Sequence, residues 1–138
     1  MAQGIPSKLK LEIVTPDEQL FAGEVDEVVV PGEDGCLGIL PGHAPLISTL
    51  QTGVLTYKIQ GRETHLYCGE GFVEVLPDSV AVLADRASIT SEIDVGKASQ
   101  DKAEAEKLLR SNDPRTDYEA ALRLLRDATA RLDASSAG

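Results

Sequence analysis

A compact antiparallel β-sandwich or barrel, followed by an antiparallel two-helix hairpin, is the fold this sequence predicts. Three observations predict it. Short apolar or alternating runs recur roughly every ten residues up to about residue 90, each closed by a turn signal. No segment before residue 91 has the length and period of a helix, which argues against parallel β-α-β units. From Asp94 onward the chain becomes rich in Ala, Lys, Glu, Arg and Leu, the composition of helices. The expected division is therefore a β unit over residues 1–90 and a helical hairpin over residues 91–138.

The first strand follows from Lys8-Leu9-Lys10-Leu11-Glu12-Ile13, which alternates polar and apolar as a half-buried strand does. Glu24 to Val30 reads as a second strand that becomes apolar throughout at its end. Further strands are expected at Leu46–Leu50, Gly53–Ile59, Glu63–Cys68, Phe72–Leu76 and Val80–Ala84. Thr15-Pro16-Asp17, Pro31-Gly32, Gln60-Gly61-Arg62, Gly69-Glu70-Gly71 and Pro77-Asp78-Ser79 supply the turns between them. Pro31–Leu46, with four glycines and three prolines around an apolar Leu37-Gly38-Ile39-Leu40, reads as a corner of the sheet or a docking edge.

Asp94 is placed to cap a helix over Val95–Arg110. Ser111-Asn112-Asp113-Pro114 breaks the chain, and Thr116-Asp117-Tyr118-Glu119 reads as a capping box for a second helix reaching about Ala134. Tyr118, Leu122, Leu125 and Leu132 form its expected buried stripe, with Leu124, Ala121 and Ala128 alongside. Val95, Ala98, Ala105, Leu108 and Leu109 form the facing one. Charged pairs are expected between Glu119 and Arg123 and between Asp127 and Arg131. Such an alanine-rich hairpin buries little area per residue, so it needs the sheet or a partner to hold it.

Charge excludes some functions. Residues 1–93 carry five Lys/Arg against fourteen Asp/Glu, and residues 94–138 carry eight against nine, which together give the net charge of −10. So acidic an amino-terminal unit lacks the basic face that nucleic acid requires. With no basic-then-apolar opening and no long apolar run, the expectation is a soluble chain that meets a membrane only through a complex. Cys36, His43, His65 and Cys68 have a spacing that fits no common zinc site, so no metal is expected. Alternation puts His65 and Tyr67 on one strand face and Leu66 and Cys68 on the other, which makes Cys68 a core residue. Gly32, Gly35, Gly38 and Gly42 fit no phosphate-binding loop, and no basic residue lies between Lys10 and Lys58. No nucleophile constellation is present, and no catalytic residue is assigned.

"LKLEIVTPDEQLFAGEVDEVVVPGEDGCLGILPGHAPLISTLQTGVLTYK" and "GFVEVLPDSVAVLADRA" together resemble the epsilon-subunit family of the rotary proton-translocating ATP synthase. Gly35-x-Leu37-Gly38-Ile39-Leu40-Pro41-Gly42-His43-Ala44-Pro45-Leu46 is the specific part. The resemblance covers nearly the whole chain and implies a ten-stranded sandwich followed by a helical hairpin. It implies a non-catalytic rotor component, peripheral on the cytoplasmic face of the membrane (stromal in a chloroplast). Its partners would be the gamma subunit and the c-subunit ring, and the alpha/beta catalytic head when the hairpin extends to inhibit ATP hydrolysis. Roughly forty residues of extended helix span about 60 Å.

By the same resemblance the stalk and c-ring docking loop comprises Glu33, Asp34, Gly35, Cys36, Leu37, Gly38 and His43. Cys36 stands where many relatives have Glu. Arg115, Arg123, Arg126 and Arg131 are the expected regulatory contacts of the hairpin. Some relatives bind ATP through Ile/Leu-Asp-x-x-Arg-Ala, set against Thr116–Ala121 here. Asp117 and Ala121 keep the pattern, while Thr116 and Ala120 replace the apolar residue and the arginine, so no nucleotide cofactor is expected. The alternative to a rotor subunit is a free-standing β-sandwich binding module with a dimerising helical tail.

Overall fold

The computed structural model describes Gly4 and residues 6–137. Ten strands come first: β1 (Leu9–Val14), β2 (Gln19–Val25), β3 (Glu27–Gly32), β4 (Gly35–Ile39), β5 (Leu46–Leu50), β6 (Gly53–Ile59), β7 (Arg62–Cys68), β8 (Gly71–Leu76), β9 (Ser79–Ala84) and β10 (Ala87–Ile89). A single 3₁₀ turn, Thr90–Glu92, leads to α1 (Val95–Leu109) and then α2 (Tyr118–Ala137).

The strands form one sheet in the order β10-β7-β6-β3-β5-β8-β9-β1-β2, with β4 paired to β3. All pairings are antiparallel except β1 with β9. That parallel pair joins distant parts of the chain through seven intervening strands rather than through a crossover helix. β3 meets β5 only at Gly32 and Leu50, so the sheet folds over at that point into two layers. The layers enclose Leu9, Leu11, Ile13, Val25, Val28, Val30, Ile39, Leu50, Leu55, Leu66, Cys68, Val73, Val75, Val80, Val82 and Ala84. Period-two alternation puts these on the inner face, and β-branched Val and Ile suit the pleat. At the far edge the rings of Phe21 and Tyr57 stack with centroids 4.4 Å apart, closing β2 over β6.

Tight chain approach explains one glycine directly. A Cβ added at Gly71 would overlap the carbonyl oxygen of Leu83 and the backbone of Ala84 on the paired strand β9. Gly71→Ala is therefore expected to destabilise the chain by about 1–3 kcal/mol through overpacking against backbone that cannot rotate away. Thermal unfolding of the two chains reads this out, and an unchanged midpoint would show that β8 and β9 can separate freely.

Several expectations need correction. The strand expected over Glu24–Val30 is two strands, broken at Asp26. The Asp26 carboxylate pairs with Lys8 and accepts from the Gln60 amide at 2.6 Å, while its own N–H donates to the Lys58 carbonyl. Hydrogen bonding from Lys8, then from Gln60, holds that carboxyl below the usual aspartate range. The Gly/Pro-rich stretch contains a full strand, β4, whose ladder to β3 runs from Val28↔Ile39 to Gly32↔Gly35. Gly35 turns that corner with φ 117°.

In the hairpin, α1 is capped by Asp94, whose carboxylate accepts from Lys97 N at 2.9 Å. The second cap is shifted by one residue from expectation. Asp117, not Thr116, accepts from the amide three residues on, Ala120, at 3.0 Å. Asp127 and Arg131 do pair, whereas Glu119 and Arg123 are not an ion pair among the described residues. Buried positions are Ala98 and Ala105 on α1 and Ala121, Asp127, Ala128, Ala130 and Ala134 on α2. Val95, Tyr118 and Leu122, expected at the seam, are exposed. Alanine at the seam lets the helices approach closely, and that rotates the larger side chains outward.

Candidate functional site

Three surfaces bear on function: the β3–β4 turn, the outer face of β5-β8-β9, and the junction between sandwich and hairpin. In the turn, Glu33, Asp34, Gly35 and Cys36 are all exposed. Leu37 is half-buried against the core, while Gly38 is exposed. Glu33 Oε2 accepts from Thr49 Oγ1 at 3.1 Å, which ties the turn to β5. His43 lies apart from it, beyond the other end of β4. There its ring Nδ1 is 2.7 Å from the Ala44 carbonyl oxygen, and the neighbouring Gly42 N–H donates to Pro77 O at 2.7 Å. The structure thus groups Glu33–Gly38 but does not bring His43 to them. Cys36 is exposed and Cys68 buried, with the thiol of Cys68 pushed up to about 12 by burial. No group of three or more metal-capable side chains gathers among the described residues.

The outer face of β5, β8 and β9 is a surface that the sequence pattern did not single out. Thr49, Phe72 and Leu83 stand in one cross-strand row, and Ile47, Glu74 and Ala81 in the next. Ile47 is 70% exposed, Phe72 56% and Leu83 51%, with Leu76 nearby at 39%. The sequence places these residues on strands without assigning their faces. The signal missed was that four of the outward positions are large and apolar where a solvated sheet would place polar residues.

On the opposite layer, α2 packs on β6 and β7, and α1 packs on α2. Tyr67 of β7 sits against Ala130 and Ala134, with Val54 and Ile93 beside them. A chain of charged groups runs through this junction. The Tyr67 hydroxyl donates to Asp127 Oδ1, which also lies 3.2 Å from Arg86 Nη2 in the β9–β10 loop. Arg131 Nη2 donates to Asp101 Oδ2 on α1 at 2.8 Å. Its Nε is 2.9 Å from Asp127 Oδ2 but off the angle a hydrogen bond needs, so that contact is an ion pair only. Lys97 Nζ then pairs with Asp101 Oδ1 at 2.7 Å. Burial and the hydrogen bond to Asp127 hold the Tyr67 phenol well above its ordinary pKa, so it remains a donor. Hydrogen bonds from Arg131 and then Lys97 hold the Asp101 carboxyl below the usual range. Burial opposes the charge on Arg131, yet the hydrogen bond to Asp101 and the charges of Asp127 and Asp101 outweigh it and raise its pKa.

The four arginines picked out in the sequence do not form one cluster. Arg131 is spent on this junction. Arg115 lies in the inter-helix loop, bonded through Nε and Nη2 to Asp113 at 3.1 and 2.9 Å. Arg123 and Arg126 are exposed on α2 and line, with Arg86, a cleft of ≈ 270 Å³. Asp117 is the cap of α2 and Ala121 is buried, so neither presents a free polar group to a ligand. A closer fit to Ile/Leu-Asp-x-x-Arg-Ala stands at the start of α1, Ile93-Asp94-Val95-Gly96-Lys97-Ala98, with lysine for arginine. Setting the pattern against the start of α2 had hidden this better match. There too the groups are engaged, Asp94 as the cap and Lys97 with Asp101. A cavity of ≈ 440 Å³ under α2 is lined by Asp17, Glu18, Asp85, Asp101 and Asp127 against Arg86 and Arg131. Such a lining repels a triphosphate. Calorimetry with ATP and magnesium is expected to show no tight site, and micromolar binding would overturn that electrostatic argument.

No helix among the described residues is long and apolar enough to cross a membrane. The ATP synthase delta/epsilon chain β-sandwich domain matches residues 8–90, and the long α-helix domain of the same chain matches residues 91–136. The ATP synthase epsilon chain of Moorella thermoacetica is 44% identical over 132 residues, 95% of this chain and 98% of the relative. That of Dehalococcoides mccartyi is 50% identical over 100 residues, 72% and 71% of the two chains. Among solved structures, a chain of the Euglena gracilis mitochondrial ATP synthase (OSCP/F1/c-ring) superposes with a TM-score of 0.84 at 23% identity, covering 99% of this chain and 86% of the other. At that identity the superposition speaks for the fold alone. The family match over both units and the long sequence identity carry the conclusion that this chain belongs to the ATP synthase delta/epsilon family.

Proposed function

We propose that the chain is a non-catalytic subunit of the synthase's central stalk, which binds the gamma subunit and the c-subunit ring through its sandwich and regulates ATP hydrolysis through its hairpin. The observation that carries the docking half is the uncovered apolar face of Ile47, Phe72, Leu76 and Leu83. The inner face is filled by the core and the β6-β7 face is covered by α2, which leaves this one for a partner. Gamma is assigned to it, because a permanent rotor contact needs a dry apolar centre. The acidic turn Glu33-Asp34, with Cys36 and Leu37, is assigned to the c ring. Cys36 carries no charge to replace a glutamate, so Glu33, Asp34 and the backbone carry that contact.

The regulatory half rests on the way the hairpin is held. Its seam to the sandwich buries Ala130, Ala134 and one tyrosine, with Val54 and Ile93 only partly buried beside them. Small apolar contacts and one polar chain give a joint that can open without unfolding either unit. Residues 1–90 and 91–138 act as two domains in this reading. The arginines of α2 that form no ion pair among the described residues, Arg123 and Arg126, would face acidic surfaces of the catalytic head. Co-expression with gamma tests the proposal: the chain is expected to purify as a stoichiometric complex with gamma. A chain that stays monomeric beside folded gamma would contradict it.

A further inference from the structure

Two separate joints hold the hairpin, and one string of charged groups passes through both. The first joins α2 to the sandwich through Tyr67 and Arg86 on Asp127; the second joins α1 to α2 through Asp101 on Arg131. Asp127 and Arg131 lie one turn apart on α2 and face each other, so each is a partner in its own joint and a neighbour of the other. We infer that the chain Tyr67–Asp127–Arg131–Asp101 couples the two joints, so that the hairpin leaves the sandwich and opens as one cooperative event. The inference rests on the regulatory reading above only for its consequence in the assembled synthase.

Satisfied charge couples the joints. The side chains of Asp127, Asp101 and Arg131 are 11%, 15% and 18% exposed, so each depends on its protein partners rather than on water. Removing α1 takes Asp101 from Arg131, which then has Asp127 as its remaining carboxylate and is drawn away from the geometry that holds Asp127 on Tyr67. Lifting α2 takes Tyr67 and Arg86 from Asp127, whose carboxylate is then free to turn onto Arg131 and compete with Asp101 for the guanidinium. Breaking either joint thus degrades the other, because an incompletely paired buried charge is costly. The alanine seams around the chain do not share this property. Ala98 and Ala105 on one side and Ala130 and Ala134 on the other lose small areas independently.

Among the described residues, the other charged groups at the junction are Lys97, bound to Asp101, the acidic Asp17, Glu18 and Asp85 of the adjoining cavity, and Glu70, Arg123 and Arg126 in the cleft beside Asp127. None of these bridges two elements of the junction; Lys97 reaches Asp101 within α1. Arg86 adds a second sandwich contact to Asp127, but its side chain is 63% exposed, so it contributes less than Tyr67.

Native-state hydrogen exchange on the isolated full chain tests the coupling, with Tyr67→Phe, Asp101→Asn and the double variant. Tyr67→Phe keeps the ring and removes the hydroxyl; Asp101→Asn keeps the shape and removes the charge. Each single change is expected to speed amide exchange in both helices by about tenfold, as loss of a hydrogen bond to a charged group does. The double variant is expected to exceed either single one only slightly, well short of the roughly hundredfold that two uncoupled changes to one shared opening give. Tyr67→Phe that loosens only α2 with Asp101→Asn that loosens only α1, a multiplicative double variant, or no change in either helix would each overturn the inference. Unchanged exchange in β3, β8 and β9 shows that the sandwich remains folded. Should one variant fail to fold, Arg131→Lys replaces it, since a lysine cannot hold two carboxylates in one plane and is expected to loosen both helices together. The readout comes from the isolated chain, so it stands or falls apart from whether the hairpin inhibits hydrolysis.

Discussion

Deleting residues 94–138 is expected to leave a folded sandwich and to raise ATP hydrolysis by the assembled synthase severalfold. The first half follows from where the core lies. All sixteen buried members of the main cluster come from β1 to β9, and none from the helices. What the deletion exposes is chiefly Tyr67 with part of Val54, at a cost of about 1.5–3 kcal/mol for one large side chain left open to water. The polar end of Tyr67 can then hydrogen-bond to water, which lowers that cost. Circular dichroism and thermal unfolding of the truncated chain check folding, and hydrolysis assays on synthase carrying it check the regulatory half. A truncated chain that fails to fold would refute the separateness of the two units. A folded chain that leaves hydrolysis unchanged would remove the inhibitory role and leave docking intact.

The second large effect is expected at the apolar face. Phe72→Asp should abolish co-purification with gamma while shifting the melting point of the isolated chain little. Phe72 is 56% exposed, so a charge there meets water in the free subunit and costs within about 0.5 kcal/mol. In a docked interface the same position lies between Thr49 and Leu83, and a carboxylate there would be buried without a partner. Central aromatic residues carry about 2 kcal/mol or more of binding when truncated, and a buried charge adds to that. Size-exclusion chromatography of the co-expressed pair reads the outcome. Binding within a factor of two of the parent chain would place gamma on some other face.

Much of the fold was legible because the inner strand positions follow a period of two without interruption. Leu9, Leu11 and Ile13, and then Val73, Val75, Val80 and Val82, declare their face in the sequence and occupy it in the core. β4 was hidden because Gly35 and Gly38 interrupt its apolar residues Cys36, Leu37 and Ile39, so the stretch reads as a corner. It is a strand because β3 presents a free edge to it, and pairing decides where propensity is silent. In the hairpin, helical period located both helices but misassigned the seam. Leucines at helical spacing draw attention as core, yet close packing selected the alanines and left Leu122 41% exposed. The polar junction was least legible of all. Asp127 and Arg131 were read as a pair within one helix, and only the fold brings Tyr67 and Asp101 to them from 60 and 30 residues away.

The measurement that bears most directly on the rotor assignment is a structure of the intact synthase containing this chain, resolved in its separate rotational states. The account predicts the β5-β8-β9 face packed on gamma and the Glu33–Leu37 turn toward the c ring in every state, with only the hairpin changing position. A structure in which Ile47, Phe72 and Leu83 face solvent, or in which the sandwich lies off the central stalk, would contradict it.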